Sequence, residues 1–145
     1  MKLTQQTASA TETINFAKDF AKQLQGGEVI ALSGDLGGGK TTFTKGLAQG
    51  LGITDPITSP TFMLERIFSL PSGKKLRHYD VYRLTSEEEL FDLGWQELID
   101  RREDIIVVEW ADRVKKALPN HTTWINFDFI DKNKRQISIN QARRK

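Results

Sequence analysis

The sequence predicts an α/β fold in which a mostly parallel central sheet is flanked by helices and extended by antiparallel hairpin strands. Three observations predict it. Gly34-Asp35-Leu36-Gly37-Gly38-Gly39-Lys40-Thr41 spells a glycine, four free positions and Gly-Lys-Thr, set between the apolar run Glu28-Val29-Ile30-Ala31-Leu32-Ser33 and a helical pattern from Lys40 to Leu51. A second apolar run, Ile105-Ile106-Val107-Val108, reads as a central strand covered on both faces and ends at Glu109. Paired runs at 62–69 and 76–82, and at 122–130 and 136–140, flank the turn signals Pro71-Ser72-Gly73-Lys74 and Asp131-Lys132-Asn133-Lys134. They read as two hairpins, the second at the edge of the sheet.

The remaining elements follow in order. Ile14, Phe16, Ala17, Phe20, Ala21 and Leu24 recur at helical spacing within 11–25, with Ser9 or Thr11 as a cap and Gly26-Gly27 as a stop. Thr11, Glu12 and Thr13 at that helix start read as capping residues. Beyond the glycine-rich stretch and its helix, 53–57 is a proline-containing loop leading to Thr58-Ser59-Pro60-Thr61-Phe62. Thr85-Ser86-Glu87-Glu88-Glu89 opens a helix carrying Leu90, Phe91 and Leu93 and closed by Gly94. A short helical piece runs from Trp95 to about Ile99, and another over 111–118 is ended by Pro119-Asn120. No internal repeat or low-complexity linker interrupts the chain.

At 145 residues the length fits one domain, 1–145, with an ordered core over about 8–141. With 38% hydrophobic and 28% charged residues the chain has the composition of a soluble globular protein, and no apolar run approaches a membrane span. The start, Met1-Lys2-Leu3-Thr4-Gln5-Gln6, lacks a secretory apolar core. The absence of cysteine excludes disulfides and thiolate metal sites and agrees with a cytoplasmic location, so any metal must be bound by oxygen. Charge is uneven beneath a net +2. Residues 131–145 hold six basic side chains against Asp131 alone, whereas 80–112 hold eleven acids against Arg83, Arg101 and Arg102. That acidic stretch repels a phosphate backbone, and a short basic end is ordinarily solvated.

The glycine-rich stretch carries the chemistry. Several backbone N–H groups must converge on phosphate oxygens, and only residues without side chains let the backbone turn and approach that closely. Gly34, Gly37, Gly38 and Gly39 supply this, and a helix starting at Lys40 aims its unpaired N–H groups and dipole at the same anion. Lys40 adds a full charge toward the β and γ phosphates, and the Thr41 hydroxyl can complete the shell of a Mg²⁺ ion. Gly37, Gly38, Gly39, Lys40, Thr41 and Thr42 are therefore the nucleotide-contact candidates, on a P-loop NTPase fold.

A second acid at the carboxyl end of a neighbouring strand holds magnesium in such folds, and Glu109 fits that place. Its ordinary alternative is an exposed strand-end acid. Asp80, in Arg77-His78-Tyr79-Asp80-Val81-Tyr82-Arg83, can orient an attacking water, partner the metal from further out, or pair with Arg77 or Arg83 in the hairpin. Strand alternation turns the Trp110 ring away from Glu109 unless the chain bends there, which favours core packing. His78 and His121 form no metal pair by spacing and read as structural or exposed. The guanine-reading Asn-Lys-x-Asp is absent, since Asn133-Lys134-Arg135-Gln136 lacks the acid, so ATP is the favoured nucleotide.

Gly-Asp-Leu-Gly-Gly-Gly-Lys-Thr-Thr (34–42), Ser-Pro-Thr-Phe (59–62), His-Tyr-Asp-Val-Tyr-Arg-Leu (78–84), Leu-Gly-Trp (93–95) and Val-Glu-Trp (108–110) together resemble the bacterial TsaE (YjeE) family of small ATPases. The resemblance spans roughly 11–140, and the ordered set is specific where the first motif alone is not. One departure is Gly38, where the family usually has Ala. The resemblance implies a fold that binds Mg-ATP and hydrolyses it to ADP in support of TsaB and TsaD. Those proteins form threonylcarbamoyladenosine beside the anticodon of tRNAs reading codons that begin with A, so tRNA is reached only indirectly. It carries Lys40 and Thr41 over as phosphate and magnesium contacts, Glu109 as the metal-side acid and Asp80 as a residue needed for turnover. Ser59 and Thr61 resemble a switch segment, Trp110 comes near the nucleotide, and Thr13 and Arg135 match positions near the adenine. Two other readings are a small-molecule kinase with Arg101-Arg102 as a lid, and a nucleotide-dependent binding module without useful turnover.

Overall fold

The structure is a computed structural model that describes residues 2–34, 39–54 and 65–141. Its strands are β1 (Lys2–Thr7), β2 (Val29–Gly34), β3 (Glu65–Ser69), β4 (Lys75–Asp80), β5 (Ile105–Glu109), β6 (Thr123–Phe129) and β7 (Arg135–Asn140). Its α-helices are α1 (Ala10–Ala21), α2 (Lys40–Gly50), α3 (Glu88–Phe91) and α4 (Trp95–Arg101), and a 3-10 segment spans Ala111–Ala117. The strands form one mixed sheet in the order β1-β7-β6-β2-β5-β4-β3.

The sheet is not mostly parallel, which corrects the sequence expectation. The ladders β6–β2, β2–β5 and β5–β4 are parallel, while β1–β7, β7–β6 and β4–β3 are antiparallel. Connection length is the physical reason. Short turns join β3 to β4 and β6 to β7, and a short turn can only return the chain antiparallel, whereas parallel neighbours need a long crossover. The β6–β7 hairpin forms as expected but does not end the sheet, because β1 pairs outside it from Lys2↔Asn140 to Thr7↔Arg135. Hydrophobic periodicity is silent on β1: five of its six residues are exposed and only Thr7 is buried, so its place comes from ladder hydrogen bonds.

One face of the sheet is covered by α1 and α2, which pack Phe20, Phe43 and Leu47 on Ile30, Leu32, Val107, Ile125 and Phe127. Phe43 is the hub, with Phe16, Phe20 and Phe127 ring centroids 6.2, 6.0 and 5.4 Å away. On the other face Trp95, Leu98, Ile99 and Val114 meet Val29, Ala31, Tyr79, Ile106 and Val108. Trp95 ties that layer together by donating its indole N–H to Ala117 O at 2.9 Å. All five residues of β5 are buried, which agrees with its reading as a central strand covered on both faces. The acidic segment differs from expectation in detail. α3 is a single turn, and Gly94, with φ 79°, precedes α4 as its N-terminal flank. Four charged or polar side chains stand in α3 and its start, so little apolar surface is available to extend it.

Candidate functional site

The carboxyl ends of β2, β4 and β5 lie side by side, and the chain turns from β2 into α2 at that edge. Gly34 ends β2 with φ 125°, and a Cβ there would stand 2.2 Å from Phe127 O. Only glycine lets the chain leave the sheet at that point. Gly39, with φ 103°, flanks the first residue of α2 and leaves its N-terminal N–H groups open to an anion. Gly37 and Gly38 lie outside the described residues, as do Ser59 and Thr61.

Lys40 is buried, donating from Nζ to Gly34 O at 2.9 Å. Its ammonium also sits 4.3 Å from the centroid of the Trp110 ring. Trp110 has φ 61° and ψ 34°, a left-handed conformation directly after β5. This bend defeats the strand alternation that placed its ring away from Glu109, so the aromatic face and the acid end up lining one cavity. Tyr82 packs against Trp110, with ring centroids 4.9 Å apart and planes tilted by 54°.

Glu109 is buried rather than an exposed strand-end acid. A carboxylate removed from water needs partners, and this one has two. Oε1 accepts from the Thr41 hydroxyl at 3.1 Å, and Oε2 accepts from His78 Nε2. Thr41 and Glu109 thus present two hard oxygens of the kind magnesium accepts. Among the described residues no group of three or more His, Cys, Asp or Glu can hold a metal by itself, so an ion here would draw its remaining ligands from water and a bound ligand.

The cavity, about 320 Å³, is within the range of small-molecule sites. Gly39, Lys40, Thr41 and Thr42 form one wall, and Glu109 and Trp110 the next. Ser9, Ala10 and Thr13 at the start of α1 face Lys132, Asn133 and Arg135 of the β6–β7 turn. Ser9 caps α1 by accepting from Glu12 N at 3.1 Å. Thr13 is held by a 2.7 Å contact with the Thr7 hydroxyl and by its own donation to Ser9 O at 3.3 Å, which links β1 to the cavity wall. Opposite, Asp131 Oδ1 accepts from the backbone N–H groups of Asn133 and Lys134, both at 2.9 Å, and these donors hold its carboxyl below the usual range. Arg135 braces the same turn by donating to Asp131 O at 2.7 Å and Lys134 O at 2.9 Å.

The tertiary arrangement therefore brings Thr13, Gly39, Lys40, Thr41, Thr42, Glu109, Trp110 and Arg135 to one cavity. Asp80 is not among the residues lining it. It lies beside Glu109 in the parallel ladder and accepts from Tyr82 N at 3.0 Å. Arg77, one of its proposed hairpin partners, instead pairs with Asp104 at 2.7 Å. Sequence reasoning missed His78 and the turn residues Lys132 and Asn133. His78 was signalled, since strand alternation puts it on the same face as Asp80 two residues on. The turn residues carried no such signal, because the hairpin was expected at the sheet edge.

A protein-family model described as "Threonylcarbamoyl adenosine biosynthesis protein TsaE" matches residues 7–137. The chain is 40% identical over 131 residues to the tRNA threonylcarbamoyladenosine biosynthesis protein TsaE of Treponema pallidum, covering 90% of this chain and 95% of that one. It is also 40% identical over 136 residues to the protein of the same name from Bacillus subtilis, covering 92% and 82%. A crystal structure of YdiB from Bacillus subtilis superposes with a TM-score of 0.79 at 32% identity, covering 99% of this chain and 87% of that one. These matches run through the strands and helices that build the cavity, and the chain belongs to the TsaE family.

Proposed function

We propose that this protein is a magnesium-dependent ATPase of the P-loop NTPase type that serves tRNA threonylcarbamoyladenosine biosynthesis. The observation that carries this reading is the pairing of Lys40 and Thr41, at the start of α2, with the Glu109 carboxylate inside a cavity that continues to α1 and the β6–β7 turn. In this reading the phosphates lie at the start of α2, where N–H groups, helix dipole and the Lys40 ammonium act on one anion. The nucleoside end extends toward Thr13 and Arg135. Thr41 Oγ1 and Glu109 would hold the magnesium, which when bound would neutralise charge on the phosphates. Asp80, beside Glu109 but off the cavity lining, serves turnover from the neighbouring strand end.

The family description ties the output to tRNA modification. ATP hydrolysis by this chain then acts through protein partners, TsaB and TsaD, with tRNA contacted by them. The acidic stretch 80–112 suits a protein surface better than a nucleic-acid one. No helix among the described residues is long and apolar enough to cross a membrane. The test is phosphate release from Mg-ATP by the isolated chain and with a TsaB–TsaD complex, over a range of salt. Slow release that the complex accelerates supports the reading. No acceleration at any salt, with fast phosphate transfer to a small acceptor, replaces it with a kinase.

A further inference from the structure

We infer that His78 is a positioning residue for the metal-side carboxylate of Glu109, an inference that rests on the magnesium–nucleotide reading above. His78 is fully buried on β4, and its Nε2 donates to Glu109 Oε2. The other oxygen, Oε1, faces Thr41 at 3.1 Å on the cavity side. A carboxylate held at both oxygens cannot rotate, so His78 fixes which edge of Glu109 is presented beside the Thr41 hydroxyl. Glu109 ends a strand whose five residues are all buried, so water is not at hand to replace the histidine's hydrogen bond.

Two further features favour a positioning role over simple packing. His78 Nδ1 is buried without a hydrogen-bond partner among the described residues. Most buried side-chain polar atoms have a partner, and the hydrogen bond described for this ring is the one to Glu109. The apolar alternative is also locally available, since Leu76 and Val107 share this sheet face and an aliphatic residue would fill the space. Partners that orient a metal-binding carboxylate or imidazole typically change metal affinity by roughly 10–100-fold when removed.

The test measures binding, not turnover. A non-hydrolysable ATP analogue is titrated calorimetrically in EDTA and then across a Mg²⁺ series, for wild type, His78→Leu and His78→Gln, with thermal melts as fold controls. We expect His78→Leu to raise the Mg²⁺ needed for half of the metal-dependent affinity gain by about tenfold or more, with metal-free affinity within about twofold. His78→Gln, whose amide reaches the position of Nε2, should restore most of it. A Mg²⁺ requirement unchanged in His78→Leu, or an equal loss with and without metal, overturns the inference. If His78→Leu fails to fold, His78→Gln is compared with His78→Asn, whose shorter amide cannot reach; equal Mg²⁺ requirements for these two overturn it as well. A wild type that shows no Mg²⁺-dependent binding rejects the nucleotide reading itself and takes this inference with it.

Discussion

The Lys40 ammonium rests against the face of the Trp110 ring, 4.3 Å from its centroid, while donating to Gly34 O at 2.9 Å. The two residues are far apart in sequence and come from different elements, α2 and the turn after β5. An aromatic face attracts an ammonium and a carbonyl accepts from it, so the two together fix where the Lys40 charge stands in the cavity wall.

Lys40→Ala is expected to lower ATP affinity at least tenfold without unfolding the chain. A hydrogen bond to a charged group contributes about 1.5–3 kcal/mol, and no aliphatic side chain replaces it. Trp110→Leu removes only the ring face and is expected to cost about 0.5–2 kcal/mol of the same affinity. Calorimetric titration of both variants checks the ranking; unchanged binding by folded Lys40→Ala would remove the site assignment.

Glu109→Gln and Asp80→Asn should separate binding from turnover. Glu109 meets Thr41 in the cavity, so its loss is expected to weaken the magnesium dependence of nucleotide binding. Asp80 does not line the cavity, so Asp80→Asn should bind Mg-ATP within about threefold of wild type and lose most hydrolysis. Binding isotherms paired with phosphate release distinguish the two, and the opposite pattern exchanges the roles.

Gly46→Ala should destabilise the fold by about 1–3 kcal/mol through overpacking. A Cβ at Gly46 would stand 2.5 Å from Ile14 O and 2.6 Å from Ala17 Cβ, both on α1. Backbone cannot move aside as a flexible side chain can, so α1 and α2 must separate and loosen the Phe43 cluster. Urea denaturation measures it, and a stability equal to wild type means that the helices can part without cost.

Acid should act partly through His121. Its Nε2 lies 3.2 Å from Gly27 O, yet burial, followed by the charge of Arg102, pushes its pKa below the ordinary value. The folded chain therefore binds this proton less readily than the unfolded one. The resulting stability is complete above the unfolded pKa of about 6.5, begins to fall below it, and is lost as pH drops through the lower pKa of the folded state. Thermal melts at pH 7.5 and 5.5 should show a smaller drop for His121→Asn than for wild type; identical drops reject the assignment.

Local chemistry made part of this molecule legible from the chain alone. The glycine spacing before Lys40 and Thr41, the apolar run ending at Glu109, the α1 periodicity and both hairpins follow from conformational freedom, burial and turn propensity, which act over a few residues. Those same rules single out Glu109 as a candidate acid because it ends that apolar run. What they could not supply was which ends meet. The polar strand β1 has no apolar rhythm, and only pairing with β7 makes it a strand. Trp110 turns toward Lys40 because the backbone bends to φ 61°, a choice that propensity disfavours and the surrounding packing enforces. The Asp131 turn reaches across to Ser9 and Thr13, and His78 reaches Glu109 across 31 residues, because sheet order sets those distances. Contacts at long sequence separation depend on the order of the described strands in the sheet, and no short stretch of chain encodes that order by itself.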